Sequence, residues 1–280
     1  MYKSFKYRIY PNEEQKILLE KHFGCTRFVY NYFLDYKQTQ YKTTGTSGTY
    51  NQIAKELINL KEDSGYSWLK EVNSQSLQQS LKDMFNSYER FFRGLSKFPK
   101  FKKKREKNSF RVPQFCRIDT TKNVIYIPKF TKKGIKLRYH RQYQGTIKSM
   151  TISKTASGQY YVSVLCLIPD SLPSSTLSKT KKNVGIDLGI KDYIVCSDKS
   201  VYSSFPKESI GKLRRKQKRL QKHFSRKQKG SKNREKLRKK IARIHEKIHN
   251  IKTDYFQKLS LELLKNYDTI FIEDLSIKDL

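Results

Sequence analysis

The chain has 280 residues and a formal net charge of +35, with 36% of its residues hydrophobic and 13% aromatic. That apolar content excludes a disordered chain, and no apolar run approaches the length of a membrane-spanning helix. A charge so far beyond the needs of solubility points to a polyanionic partner rather than to a membrane. The four cysteines, Cys25, Cys116, Cys166 and Cys196, are scattered and form no Cys-x-x-Cys pair. They fit buried free thiols of a reducing cytoplasm and give no recognisable zinc site. The opening stretch "MYKSFKYRIY" lacks an apolar core segment and reads as mature protein.

Residues 2–10 alternate and predict a strand. "PNEEQKILLEKHFG" predicts a helix, with Asn12 as N-cap, Gln15 three residues on and Gly24 as its stop. "CTRFVYNYFLDYKQTQY" predicts a second, aromatic-rich helix. A Thr/Gly/Ser loop follows at 43–49, and helical patterns return at 51–61 and at about 75–97. Residues 11–97 therefore read as all-helical.

Pro99 marks a change. "FPKFKKKREKNSFR" is basic, with Phe98, Phe101 and Phe110 interleaved. Lys100, Lys102, Lys103, Lys104, Arg105 and Arg111 are its candidate phosphate contacts. The three phenylalanines either stack on bases or anchor the segment to the neighbouring sheet. The runs "NVIYIPKF", "GIKLRYH", "TIKSMTISKT" and "QYYVSVLCLI" are spaced like a small antiparallel barrel or sandwich. Strand 2–10 would complete it, with the helices as an insertion.

"PDSLPSSTLSKTKK" at 169–182 is a linker by composition. From Lys207 to Lys252 there are 20 Lys/Arg against three Glu. Ile210, Leu213, Gln217, Leu220 and Phe224 form one helical seam, and Leu237, Ile241, Ile244, Ile248, Ile251 and Tyr255 a second. An antiparallel helical hairpin over about 207–255 would bury both seams and leave cations such as Arg214, Arg215, Lys218 and Arg219 outside. Solvated helices ordinarily mix their charges for i,i+4 pairing. At 20 to three, these helices repel themselves unless an anion is bound.

Two acids remain. Asp187 lies in an apolar strand between Gly185 and Gly189, and Glu273 ends the apolar run "TIFI". A buried acid in such a strand is costly unless it is partnered. A divalent metal is one partner; backbone N–H groups of a tight turn are another.

"GIDLGIKDYIVCSD" followed by "IFIEDLSIKDL" resembles the first and second motifs of a RuvC-like, RNase H-fold nuclease. The fuller resemblance, from residue 2 to 280, is to the TnpB family of transposon-encoded proteins related to type V CRISPR effectors. "YRIYPNEEQKILLEKHFGCTRFVYNYFL" and "FPKFKKKREKNSFR" carry it in the first half. The resemblance implies a multidomain α+β fold. A wedge-like antiparallel β-barrel (1–10 and 98–168) would hold an inserted helical recognition lobe (11–97). After the linker would come a partial RNase H-like α/β domain (183–280) carrying the basic hairpin. It also implies a guide RNA, a target double-stranded DNA and Mg²⁺ or Mn²⁺ held by catalytic carboxylates, here Asp187 and Glu273. Arg27 and Asn31 fall where the family approaches the motif-bearing duplex. Family members continue into a helix, a zinc ribbon and a third motif bearing the last Asp; these 280 residues contain none of the three. Asp274 and Asp279 are too close to Glu273 to stand in for it. The expectation is a nucleoid-associated protein that binds DNA by guide pairing, does not cut, and acts by occupancy, for example as a repressor. The alternatives are a truncated or decayed copy of an active nuclease and, more distantly, a structural RNA-binding protein.

Overall fold

The computed structural model describes residues 1–104, 108–130, 133–169, 182–189, 194–202 and 205–273. The chain divides into two compact units, Met1–Asp170 and Ser171–Leu280. All but the two ends of the linker expected at 169–182 lies outside the described residues.

The first unit is built on a seven-stranded sheet. Its strands are β1 (Tyr2–Tyr10), β2 (Asn108–Val112), β3 (Arg117–Asp119), β4 (Val124–Tyr126), β5 (Ile135–Arg138), β6 (Thr146–Lys154) and β7 (Tyr160–Leu167). Their order is β2-β6-β7-β1-β5-β4-β3, and every pair is antiparallel. Alternation sets which face is buried: β7 turns Tyr160, Val162, Val164 and Cys166 inward, and β1 turns in Phe5, Tyr7 and Ile9. The connection into β6 passes through Gly145 at φ 78°, where a Cβ would stand 2.1 Å from the Leu167 carbonyl oxygen, so a larger residue is excluded.

The sheet curls without closing in its ladder. Its end strands, β2 and β3, are not paired with each other among the described residues. A buried His22 of the helical segment packs against the β2 end of the sheet. Its ring lies 5.0 Å from Phe110 of β2 and 4.8 Å from Phe130, which follows β4. Nδ1 of His22 lies 2.8 Å from the Leu18 carbonyl, and Nε2 accepts the Asn73 N–H at 3.2 Å. Both bonds suit a neutral ring, and burial lowers the pKa in the same direction. The expected barrel is thus a half-barrel plugged by helical side chains.

Those side chains come from α1 (Glu13–Thr44), which begins with the expected capping box between Asn12 and Gln15. It does not stop at Gly24. Leu19 and Phe23 pack in the sheet core, whereas Cys25, Val29, Tyr30, Phe33 and Leu34 pack in a helical core. One rod thus serves two cores, and burial on both sides outweighs the roughly 1 kcal/mol that an interior glycine costs a helix. Nothing lies within 4 Å of a Cβ built on Gly24. Gly24→Ala is therefore expected to stabilise the protein by up to about 1 kcal/mol, raising the midpoint of thermal unfolding by about 2–4 °C. A lowered midpoint would mean that the helix needs glycine at this point.

The helical core is completed by α2 (Tyr50–Glu62), a 3-10 helix (Ser64–Glu71) and α3 (Ser74–Phe92). Thr49 and Asn73 cap α2 and α3 through their side chains. Lys37 lies buried against this core. Its ammonium donates to Ser47 Oγ and the Gly48 carbonyl at 2.9 and 3.1 Å, which holds the loop before α2.

The second unit has a four-stranded sheet of β8 (Asn183–Asp187), β9 (Ile194–Cys196), β10 (Val201–Tyr202) and β11 (Thr269–Ile272). The order is β10-β9-β8-β11, with β8 and β11 parallel. Between β10 and β11 run α4 (Lys207–Ser225) and α5 (Lys232–Asn266). The 35-residue α5 is about 50 Å long. Its last turns place Leu259 and Leu263 on Val184, Ile186, Ile194 and Cys196, and its earlier turns pair with α4. No helix among the described residues is long and apolar enough to cross a membrane.

Candidate nucleic-acid interface and carboxylate pair

The parallel pairing of β8 and β11 decides where the two acids go. Ile270 lies opposite Val184, Phe271 opposite Gly185 and Ile272 opposite Ile186. The next step along both strands is Asp187 and Glu273. Neighbouring strands run about 4.8 Å apart, so the two carboxylates leave the sheet side by side at one edge. Both residues are exposed, and both line a shallow cavity of about 480 Å³ with Val195, Cys196 and Ser197. Asp187 is thus the last residue of its strand and open to solvent, and the desolvation cost expected of a mid-strand acid does not arise. Asp198, nearby in sequence, is differently placed. It accepts from Ser200 and from the Tyr267 hydroxyl, and these bonds hold its pKa down to about 2. It is a structural acid, bound into the turn after β9.

Among the described residues no group of three or more Asp, Glu, His or Cys is placed to hold a metal ion. Asp274 and Asp279 lie outside them. All four cysteines are free thiols; Cys25, Cys166 and Cys196 are buried, and burial pushes the Cys25 pKa up to about 11.

In the α4–α5 hairpin every seam position named from the sequence is buried or half-buried, and the positions between are mostly exposed. The one polar seam residue, Gln217, has a partner: its side-chain amide lies 2.6 Å from His245 Nε2. Arg234 closes the tip, stacking on Phe224 at 4.1 Å and donating to the carbonyls of Phe224 and Lys227. Arg214, Arg215, Lys218 and Arg219 are all exposed. They fall into two i,i+4 rows on the outside of α4.

The basic segment after α3 is anchored more than its composition implies. Phe110 is a core residue of β2, so of the two roles open to it, anchoring is the one it has. Asn31 donates to the Lys102 carbonyl at 2.9 Å and accepts the Lys102 N–H at 2.8 Å, clamping the segment's backbone to α1. The Lys102 ammonium sits 3.7 Å from the Tyr30 ring centroid. Desolvation there lowers its pKa, against the opposing field of Asp83. Arg27 donates to Asn108 at 3.3 Å. A cavity of about 450 Å³ brings Arg27, Lys102 and Arg111 together with Ser76, Ser80 and Asp83 of α3. The sequence analysis missed the α3 members. Their spacing, 76, 80 and 83, was a readable signal, since it places them on one helical face. Lys100, Lys103 and Lys104 are exposed along the segment, and Arg105 lies outside the described residues.

Comparison with known proteins identifies the family. A transposase family model, described as "Probable transposase", matches residues 163–280, and a "Helix-turn-helix domain" model of the same group matches residues 1–46. The latter segment is here a strand and the whole of one continuous helix, so the motif of that description is not formed within it. A relative in Escherichia coli (strain K12), named "Putative RNA-guided DNA endonuclease InsQ", is 34% identical over 99% of this chain and 67% of its own. A "Putative RNA-guided DNA endonuclease" of Streptomyces pristinaespiralis is 32% identical over 99% and 68%. "TnpB-like protein L79" of Acanthamoeba polyphaga mimivirus is 24% identical over 99% of this chain and 56% of its own. Among solved structures, a cryo-EM Cas12f1–sgRNA–target DNA complex matches 98% of this chain and 73% of that chain at 15% identity and a TM-score of 0.34. The chain thus spans about two thirds of the length of its two RNA-guided-endonuclease relatives. On these sequence matches, it belongs to the TnpB family of transposon-encoded RNA-guided DNA endonucleases.

Proposed function

We propose that this chain binds a guide RNA and its matching double-stranded DNA, and that the 280-residue polypeptide occupies its target without cutting it. The observation that carries the reading is the one-sided hairpin. Its seams pack inward and 20 Lys/Arg stand against three Glu from Lys207 to Lys252. Such one-signed surfaces repel themselves, and a nucleic-acid backbone supplies a compensating charge at every phosphate. In this reading residues 11–97 form the recognition lobe, the half-barrel sheet is the wedge, and 183–280 is a partial RuvC-like domain. A nucleoid location follows from DNA binding.

Asp187 and Glu273 are the residues that would hold Mg²⁺ or Mn²⁺. Two solvent-facing carboxylates side by side are the hard oxygen donors such ions take. When bound, an ion there supplies positive charge to a phosphoryl oxygen. The protein's part is to hold both carboxylates at one sheet edge through the β8–β11 register.

The test is purification with and without nuclease treatment, followed by sequencing of the bound RNA. One strongly enriched RNA species is expected. A random sample of cellular RNA would overturn the guided reading and leave a structural RNA-binding protein.

A further inference from the structure

The end of α3 presents an aromatic ring that the fold does not use. The helix closes with a Schellman motif: Gly94, at φ 71°, donates to the Phe91 carbonyl, and Leu95 donates to that of Arg90, each at 2.9 Å. In that motif the residue in the position of Leu95 commonly packs back on the helix. Here Leu95 stays 63% exposed and Phe92, one residue inside the helix, 77% exposed. Ring contacts nonetheless hold the arrangement, Phe91 lying 5.3 Å from Phe92. Phe98 packs edge-on against Tyr88 and Phe91, with centroids 5.6 and 5.2 Å away. Tyr88 then lies 6.3 Å from Phe92 at an interplanar angle of 21°. The tyrosine backs one side of the Phe92 ring, and most of that ring's surface faces water.

The surroundings are cationic. From Arg90 to Lys104 there are seven Lys/Arg and no Asp or Glu. Arg93 is engaged by Glu89 at 2.6 Å, while Arg90, Lys97 and Lys100 are exposed with no ion pair among the described residues. A face kept for a protein core or a second copy would bring acids to meet these cations. An open aromatic face with cations spaced along one segment is instead the arrangement that takes a base on the ring and phosphates on the flanks.

We propose that Phe92 is a stacking platform for an unpaired base of single-stranded nucleic acid, with Arg90, Lys97 and Lys100 holding the adjoining phosphates. The proposal rests on the nucleic-acid reading above but not on guided targeting.

Trp68 is the chain's single tryptophan. The test uses a Trp68→Phe background into which Phe92→Trp introduces one indole. Twelve-residue oligo(A), as RNA and as DNA, is titrated against it, with a blunt duplex as control. Single strands are expected to quench the indole, and the duplex to leave it bright. In the otherwise unaltered chain, Phe92→Ala should weaken single-strand affinity about tenfold at an unchanged salt slope. Arg90→Gln should instead flatten the slope. Quenching by RNA alone or by DNA alone identifies which strand uses the platform. Single-strand binding with no quenching and no effect of Phe92→Ala overturns the platform and leaves RNA binding standing. Self-association that Phe92→Ala abolishes, without quenching, overturns it in favour of a second copy. Quenching by oligonucleotides in a protein that enriches no RNA species upholds the platform and sinks the guided reading.

Discussion

Replacing Arg214, Arg215, Lys218 and Arg219 together by Glu is expected to lower RNA affinity about a hundredfold at physiological salt. Each phosphate neutralised on a single strand releases about 0.7 of a counterion. Four lost contacts then reduce the slope of log affinity against log salt by about 3 and cost about two decades near 0.15 M salt. The fold should not suffer. All four side chains are exposed, and none belongs to the seam of Ile210, Leu213, Gln217, Leu220 and Phe224. The new Glu pairs still repel at i,i+4, but they face the remaining lysines of α4, Lys222 among them, which offsets that cost. Anisotropy titrations over a salt series, with circular dichroism as a check on helicity, measure both effects. An unchanged slope in a protein of unchanged helicity would show that α4 faces solvent and that its cations only prevent aggregation.

The hairpin was legible in the sequence because its two seams repeat at 3-4 spacing while most positions between them are charged or polar. Pattern and charge gave the same answer, and one polar exception, Gln217, found its partner in His245. Strands β1 and β4 to β7 were legible for the same reason, with period two in place of 3.6, whereas β2 and β3 were not read as strands. The failures come from residues whose roles are set across the fold. Gly24 looked like a stop because glycine usually is one, but the cores at both ends of α1 hold it helical. Phe110 looked like one of three equivalent phenylalanines in a basic run. Pairing of β2 with β6 turns it inward, while Phe98 and Phe101 remain outside. The half-barrel could not be told from a closed barrel because closure depends on whether β2 meets β3. His22, buried beside Phe110 and Phe130, carries no signal in the sequence beyond being one of five histidines. The convergence of Asp187 and Glu273 was suggested by one acid inside an apolar strand, another at the end of a second, and the resemblance that joins them. Their exposure was not, because it follows from both strands ending at the same register step.

That convergence bears on cleavage. In-line displacement at a phosphodiester uses two ions about 4 Å apart, one for the attacking and one for the departing oxygen. Asp187 and Glu273 would hold one such ion, whose charge would act on a phosphoryl oxygen. A second ion then lacks a fixed position. Imprecise placement of this kind costs orders of magnitude, because positioning and charge stabilisation fail together. Supplied with its RNA, a matched duplex and Mg²⁺ or Mn²⁺, the 280-residue polypeptide is therefore expected to bind the duplex and leave both strands whole. Asp187→Ala should not change that occupancy, since Asp187 is exposed at the sheet edge and no core packs on it. Glu273→Ala should behave alike. The measurement is a paired gel-shift and denaturing-gel assay on one reaction, so that binding and nicking are read from the same molecules. Guide-dependent cleavage that Asp187→Ala abolishes would overturn the expectation. It would place a third acid at the β8–β11 edge, from Asp274 or from a second chain, and reverting the register by shifting β11 one residue would then silence it by turning Glu273 to the other face.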